Sequence, residues 1–356
     1  MFRIRTMNKI SPPGLELFPR DRYEVASDLP NPDAILVRSA DLHAVELPDT
    51  VKAIARAGAG YNNIPVDQCS DRGIVVFNTP GGNANAVKEL AIASLLLSSR
   101  KILSGINWAA SLADKADEAP DLVEKEKARF EGPEIRGKTL GVVGLGAIGV
   151  MVANDAVSLG MEVIGYDPYI SVDAAWNLSR IVQRAETLEG LLAKADYVTL
   201  HIPLSDTTRG MLNAEKFRLM KKGARIINLA RGGLVNEADI IAALDADKLG
   251  CYVTDFPTAE LLSCKKAICV PHLGASTPEA EDNCAVMAVR QLMDFLFCVD
   301  DVVGVIVPVV VYQIGDVDPR FGEDGGDLPY HVGDVPVCYQ QPEGRTLIQM
   351  TPGEVD

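Results

Sequence analysis

The chain has 356 residues, of which 47% are hydrophobic and 23% charged, and its formal net charge is −15 at pH 7. This composition excludes a collagen-like chain, a wholly disordered chain and a disulfide scaffold, and the length predicts two domains. The negative charge disfavours nucleic acid and anionic membranes as partners. Because no apolar run reaches membrane-spanning length and the first residues lack a signal-peptide core, we expect a cytoplasmic protein. The seven cysteines contain no Cys-x-x-Cys pair, so we expect free thiols and no metal site.

Short apolar runs alternate with longer connections near the start of the chain. Strands are predicted at 34–38, 51–55 and 74–77, where turn-forming residues end each run, and a long helix is predicted at 83–101. Strands separated by such connections indicate a parallel sheet. A polar segment at 113–136 is predicted to be solvated helix and loop.

A second series of alternating patterns begins at residue 137. It predicts a doubly wound parallel sheet, so the expected class is α/β with two such sheets. The predicted strands are 140–143, 162–166, 197–202, 224–229, 251–254 and 267–270. The predicted helices are 148–159, 188–195, 214–221, 237–245 and 277–297.

The C-terminal region differs in composition from the rest of the chain. Residues 297–356 hold eight Asp, three Glu, two Arg and no Lys. A β-prone run at 302–311 is followed by Gly, Pro, Asp and Gln with little periodicity. This pattern predicts an irregular acidic C-terminal tail at 299–356 that is partly ordered or disordered.

A G-x-G-x-x-G motif is formed by Gly144, Gly146 and Gly149. It follows a predicted strand and opens a predicted helix, the context in which such a turn binds a dinucleotide pyrophosphate with N–H groups near Ala147 and Ile148. Asp167 ends the next strand, where an acid can bind a ribose diol. Because no Arg or Lys follows Asp167 to accept a 2′-phosphate, NAD is favoured over NADP. A glycine-rich turn that binds no nucleotide is the alternative.

Three polar side chains follow later predicted strands, and these are Arg231, Glu260 and His272. Ligands bind at the carboxyl ends of parallel strands, so the three can converge on the cofactor crevice. Hydride transfer from a secondary alcohol needs a base for the hydroxyl proton, which His can supply, and a cation for the substrate carboxylate, which Arg can supply. Taken singly, they are also explained as a surface cation, a helix-start acid and a loop histidine.

Five longer segments occur in order, namely GKTLGVVGLGAIG, HIPLSDTTRGMLN, INLARGGLVNEADIIAAL, VTDFPTAE and PHLGASTPEA. Over about residues 1–296 the chain resembles the D-isomer-specific 2-hydroxyacid dehydrogenases. The resemblance implies a Rossmann NAD-binding domain at 92–273. This domain would be inserted in a discontinuous, flavodoxin-like substrate-binding domain at 1–91 and 274–298. It also implies a homodimer formed through helices of the nucleotide domain.

The resemblance also implies roles for individual residues. His272 would be the acid/base, paired with Glu260, and Arg231 would hold the substrate carboxylate. Asp255 would bind the nicotinamide carboxamide, and His201 would lie near the adenosine rather than act as a base. The further cofactor contacts that it implies are Pro203, Leu229, Ala230, His272 and Gly274.

Arg38 and Arg56 each end a predicted strand of the first domain. Arg matches phosphate oxygens, although a surface charge is the alternative. The family members that oxidise D-3-phosphoglycerate carry Arg at both places, and Ala59, Gly60 and Asn78 are further expected substrate contacts. We therefore expect oxidation of 3-phosphoglycerate to 3-phosphohydroxypyruvate, the first step of serine synthesis. A glyoxylate/hydroxypyruvate reductase, a D-lactate dehydrogenase and a non-catalytic NAD-sensing protein are the alternatives.

Overall fold

The structure, a computed structural model, describes residues 1–301, 337–340 and 346–349. The chain divides into two compact units, Met1–Asn83 with the segment from Pro278 onward, and Ala84–Thr277. The predicted β-prone run at 302–311 lies outside the described residues. None of the helices among the described residues has the length and apolar content that a bilayer crossing requires.

The first unit is built on a five-stranded parallel sheet. Its strands are β1 (Phe2–Met7), β2 (Tyr23–Ala26), β3 (Ala34–Val37), β4 (Ala53–Arg56) and β5 (Val75–Phe77). Its helices are α1 (Pro12–Leu15), α2 (Val66–Asp71) and, from the far end of the sequence, α12 (Pro278–Asp301). The strand order β2-β1-β3-β4-β5 is that of flavodoxin-like sheets.

Both faces of this sheet are covered, because alternate residues of its central strands enter different cores. Ala34 and Leu36 pack with α12, whereas Ile35 and Val37 pack in the core on the opposite face. The helix contributes the buried residues Ala285, Ala288, Val289, Leu292 and Leu296. Gly14 lies so close to this helix that a Cβ there would be 2.7 Å from the Ala285 Cβ.

The second unit contains a seven-stranded parallel sheet. Its strands are β6 (Thr139–Val143), β7 (Glu162–Tyr166), β8 (Gln183–Arg184), β9 (Tyr197–Leu200), β10 (Ala224–Asn228), β11 (Leu249–Thr254) and β12 (Ala267–Cys269). Its helices are α3 (Ala84–Ser99), α4 (Ile102–Ala110), α5 (Ala119–Glu126), α6 (Ala147–Ser158), α7 (Val172–Asn177), α8 (Leu188–Lys194), α9 (Ala214–Leu219), α10 (Glu237–Asp245) and α11 (Ala259–Ser263). Two further strands, β13 (Val337–Gln340) and β14 (Thr346–Gln349), pair antiparallel with each other.

The order β12-β11-β10-β9-β6-β7-β8 reverses its direction at β6. Strands β7 and β8 lie on one side of β6, and β9 to β12 lie on the other. Such a reversal opens a crevice at the carboxyl ends of the strands, where doubly wound folds bind ligands. The predicted α/β class with parallel sheets is confirmed.

At the amino ends of the strands, on the side of the sheet opposite the crevice, polar contacts attach the end of α3 to the sheet. The Tyr197 hydroxyl lies 2.7 Å from the Ser99 hydroxyl, and Tyr197 is 1% exposed. Arg225 donates a hydrogen bond to the Ser98 carbonyl at 2.8 Å and stacks over the Tyr197 ring. These contacts lie at the amino ends of β9 and β10, away from the crevice.

Candidate active site

The glycine turn lies where β6 passes into α6, at the reversal of strand order. Gly144 has φ +91°, and a Cβ there would be 2.5 Å from the His201 carbonyl oxygen. A Cβ at Gly149 would be 1.9 Å from the Gly144 oxygen, so helix and strand approach too closely for alanine. At Gly146 a Cβ would meet no atom within 4 Å. The first and last glycines are therefore required by the fold, whereas the middle one leaves an open, exposed approach to the backbone.

Asp167 holds the glycine turn through main-chain hydrogen bonds. Its Oδ2 accepts from the Leu145 N–H at 2.7 Å, and its Oδ1 accepts from the Tyr169 N–H at 2.8 Å. The Gly144 N–H donates to the Tyr166 carbonyl at 2.9 Å. Each carboxylate oxygen has further acceptor capacity, which a ribose diol can use.

Asp255, directly after β11, is 2% exposed. Its Oδ2 lies 3.5 Å from the His272 Nδ1, and its buried Oδ1 has no hydrogen-bond partner among the described residues. Burial raises the pKa of this carboxyl, while the charges of His272 and Arg231 oppose the shift. An acceptor left without a partner fits an amide donor such as a carboxamide. Together with the open approach at Gly146 and the free N–H groups at the start of α6, the residues present fit NAD.

Arg231 is held by its backbone at the end of β10. The buried Asn228 side chain accepts hydrogen bonds from the N–H groups of Ala230 and Arg231, at 3.2 and 3.3 Å. It also donates to the Arg231 carbonyl at 2.9 Å. The Arg231 guanidinium is exposed and donates to the Ala230 carbonyl at 2.7 Å. Asn228 therefore fixes the main chain from which this guanidinium projects, a role that the sequence analysis missed.

His272 follows β12 with 63% of its side chain exposed. Its ring packs edge-on against Phe256, with centroids 5.1 Å apart, and its Nδ1 faces Asp255. Glu260 is exposed in the first turn of α11, and among the described residues no ion pair or hydrogen bond joins its carboxylate to His272. The pairing of Glu260 with His272 therefore stays a prediction.

The other predicted cofactor residues lie in the loops that follow β9, β10 and β12. Pro203 is exposed after β9 and accepts a hydrogen bond from the Thr208 hydroxyl at 2.8 Å. Leu229 is buried beside the half-buried Ala230. Gly274 is buried, and a Cβ there would lie 3.9 Å from the Asp255 Oδ2. Their contacts with a cofactor stay predictions.

His201 supports the glycine turn from behind. Its carbonyl limits the space at Gly144, and its Nε2 lies 3.0 Å from the Thr199 hydroxyl. Burial lowers the pKa of this imidazole to about 4. A neutral histidine packed in this way fits a structural role.

In the first unit, Arg38 and Arg56 lie side by side. Arg56 ends β4 and pairs in register with Val37, which directly precedes Arg38. The Arg56 Nε donates to the Arg38 carbonyl at 3.1 Å. The Arg38 guanidinium forms an ion pair with Glu281 of α12 at 2.6 Å, with both side chains half-exposed. The structure thus places the two arginines on neighbouring strands, with the Arg56 side chain against the Arg38 main chain, and adds an acid that the sequence analysis missed.

The remaining predicted substrate contacts also belong to the first unit. The Asn78 side chain donates to the Ala59 carbonyl at 2.7 Å, and Gln291 of α12 donates to the Asn78 carbonyl at 3.0 Å. Ala59 and Gly60 are half-buried. Asn78 therefore fixes the loop that follows β4. In the described part of the chain, no three His, Cys, Asp or Glu side chains are grouped as metal ligands.

Comparison with known proteins assigns the family. Residues 96–274 match the family model described as "D-isomer specific 2-hydroxyacid dehydrogenase, NAD binding domain". The chain belongs to the D-isomer-specific 2-hydroxyacid dehydrogenases. The predicted membership of this family and its NAD-binding domain are therefore confirmed.

Two relatives within this dehydrogenase family are named D-3-phosphoglycerate dehydrogenase. The one from Archaeoglobus fulgidus is 35% identical over 77% of this chain and 51% of its own length. The one from Mycobacterium bovis is 38% identical over 74% of this chain and 49% of its own length. The chain thus spans about half the length of these dehydrogenases.

Solved dehydrogenase structures share the fold. The apo D-mandelate dehydrogenase of Rhodotorula graminis gives a TM-score of 0.67 at 26% identity, over 82% of this chain and 94% of that chain. The NAD+-bound 3-phosphoglycerate dehydrogenase of Entamoeba histolytica gives a TM-score of 0.63 at 25% identity, over 83% and 95% of the two chains.

Proposed function

We propose that the chain catalyses NAD-dependent oxidation of D-3-phosphoglycerate to 3-phosphohydroxypyruvate, as the first step of serine synthesis. The observation that carries the choice of substrate is the adjacent pair Arg38 and Arg56 at the ends of neighbouring strands. Two guanidinium groups match a phosphate, and an unphosphorylated acid needs no such pair. The names of the two relatives support the same choice.

His272 is the acid/base in this proposal. Its exposed ring can take the hydroxyl proton of the substrate while NAD, when bound, accepts the hydride. The adjacent Asp255 carboxylate orients the ring through Nδ1, and the edge-on contact with Phe256 restricts its rotation. Glu260 is the proposed partner of His272, as the resemblance implies.

Arg231 holds the substrate carboxylate. Its guanidinium is exposed at the carboxyl end of β10, on the edge of the sheet where Asp255 and His272 also lie. A fork of N–H donors can bind the carboxylate in a bidentate geometry and keep the hydroxyl carbon in one orientation. Asn78, Ala59 and Gly60 are the proposed further contacts to the substrate.

The test is NADH formation, followed at 340 nm, with D-3-phosphoglycerate, D-glycerate and D-lactate as parallel substrates. We expect a strong preference for the phosphorylated acid, which Arg56→Ala removes, and no turnover in His272→Ala. Equal rates with phosphorylated and unphosphorylated acids would favour the alternative of another D-2-hydroxyacid dehydrogenase. NADH binding without turnover of any acid would favour the NAD-sensing protein.

We also propose a cytoplasmic homodimer. Large apolar side chains are exposed on one stretch of the second unit, namely Leu96, Ile102, Leu103, Ile106 and Val123. Such a patch on α3 to α5 fits a second copy of the chain. The thiols of Cys69, Cys251 and Cys284 are free and buried, which fits a reducing compartment. Light scattering of the wild type and Ile106→Asp tests the dimer, because a charge at a 58% exposed position leaves the monomer folded.

A further inference from the structure

Asn228 and Tyr252 form a buried polar pair beneath the candidate active site. Asn228 is 0% exposed at the end of β10, and Tyr252 is 2% exposed in the neighbouring β11. The Asn228 amide donates to the Tyr252 hydroxyl at 3.2 Å. Burial raises the pKa of Tyr252, so the phenol stays protonated and neutral.

The register of the two strands explains why these side chains meet. Asn228 lies opposite Thr254, and Tyr252, two residues earlier in β11, projects from the same face as Thr254. The Thr254 hydroxyl, on the same face as Tyr252, accepts from the Phe256 N–H at 3.2 Å. Polar side chains on this face therefore bond two loops, Asn228 the one with Arg231 and Thr254 the one with Phe256.

A surface pocket of about 250 Å³ lies beside the Arg231 loop and is lined in part by Gly232, Gly233, Tyr252 and Phe256. Within this loop, the N–H groups of Ala230 and Arg231 both donate to the Asn228 side chain, which also donates to the Arg231 carbonyl. The Leu234 N–H also donates to the Arg231 carbonyl at 3.3 Å, and the Gly233 carbonyl accepts from the Gly210 N–H at 2.8 Å. An amide suits the position of Asn228 because it both accepts and donates, whereas a carboxylate only accepts.

We propose that Asn228 and Tyr252 are positioning residues that hold Arg231 for the substrate carboxylate. The inference rests on the proposed function, in which Arg231 contacts the substrate. Asn228 acts on the loop directly, and Tyr252 acts through Asn228 by fixing the orientation of its amide. Neither side chain touches the reacting atoms.

The test compares Tyr252→Phe with Tyr197→Phe. Each variant removes one hydroxyl from a buried tyrosine of the same sheet, but the Tyr197 hydroxyl bonds Ser99 at the opposite edge. We expect similar losses in melting temperature. Only Tyr252→Phe should lower kcat/KM for the hydroxy acid, by about tenfold, because small displacements of a positioning group are costly. The dissociation constant for NADH should stay within about twofold of the wild type in both variants.

Hydrogen exchange provides a readout that does not need turnover. A peptide covering residues 229–234 should exchange faster in Tyr252→Phe than in Tyr197→Phe, because the Ala230 and Arg231 amides lose a fixed acceptor. Asn228→Asp should give a larger effect of the same kind. If Asn228→Asp does not fold, the comparison of Tyr252→Phe with Tyr197→Phe alone tests the positioning role.

The outcomes are separable. Equal exchange and equal kcat/KM in the two tyrosine variants would overturn the positioning role. A wild type without turnover on any hydroxy acid would instead overturn the proposed function. In that case the exchange of residues 229–234 still decides whether Tyr252 holds the loop.

Discussion

Alanine substitutions in the glycine turn separate binding of the cofactor from folding. Gly146 is exposed, has an extended backbone with φ −75° and ψ −163°, and offers space for a Cβ. Gly146 is the N-cap of α6, and alanine at this position weakens helix capping by up to about 1 kcal/mol. Alanine also lowers the conformational entropy of the unfolded chain, which stabilises the folded state by about 0.4–1 kcal/mol. Gly146→Ala should therefore change the free energy of unfolding by less than about 1 kcal/mol.

The effect on the cofactor should be much larger. The added methyl group occupies the space through which a pyrophosphate approaches the backbone N–H groups. Loss of one charge-assisted hydrogen bond costs about 1.5–3 kcal/mol, so we expect the dissociation constant for NADH to rise at least about tenfold. NADH fluorescence titration and urea unfolding measure the two quantities.

Gly149→Ala is the matched control. Its Cβ would lie 1.9 Å from the Gly144 oxygen, so the helix must move away from the strand. Such overpacking should cost about 3 kcal/mol or more in unfolding free energy. The reasoning is refuted if Gly146→Ala binds NADH as the wild type does, or if it is destabilised as strongly as Gly149→Ala.

Two further predictions concern charged and titrating side chains. Burial lowers the His201 pKa from 6.5 to about 4, so the unfolded chain binds more protons between these pH values. The unfolding free energy should fall by about 3 kcal/mol as the pH is lowered from 6.5 to 4, and urea melts of His201→Gln should lack this part of the pH dependence. Glu281→Gln removes the carboxylate that competes for Arg38, so KM for D-3-phosphoglycerate should fall by up to about fivefold, as expected for a half-exposed ion pair. Initial rates at low salt, with D-lactate as a control acid whose KM should not change, measure this, and a higher KM for the phosphorylated acid would contradict it.

Local patterns were sufficient to predict much of the fold. The glycine turn and α6 follow from residues adjacent in sequence, and β3 and β4 follow from uninterrupted apolar runs. Two strands at the start of the chain were not predicted. In β1, Arg3 and Arg5 interrupt the apolar residues, so no continuous apolar run marks the strand. Only Ile4 of this strand is fully buried. The place of β1 in the sheet becomes evident only from its pairing with both neighbours.

Site contacts that depend on the tertiary structure could not be read from the sequence. The ion pair of Arg38 and Glu281 joins residues 243 positions apart. The contact of Asn228 with Tyr252 depends on the register between β10 and β11. Residue types at strand ends predict which side chains can reach a crevice, but they do not predict which neighbours orient them.

The return of α12 to the first unit determines the order in which the chain can fold during synthesis. One face of the first sheet, which includes Ile4 and Ala34, is covered by residues from Cys284 to Leu296. The second unit, Ala84–Thr277, is complete before those residues are made. At a synthesis rate of about 5–20 residues per second, this apolar face remains uncovered for roughly 10 to 40 s on the ribosome. The unit that is synthesised first is therefore the last to close, and during that interval the nascent chain presents a surface that chaperones recognise.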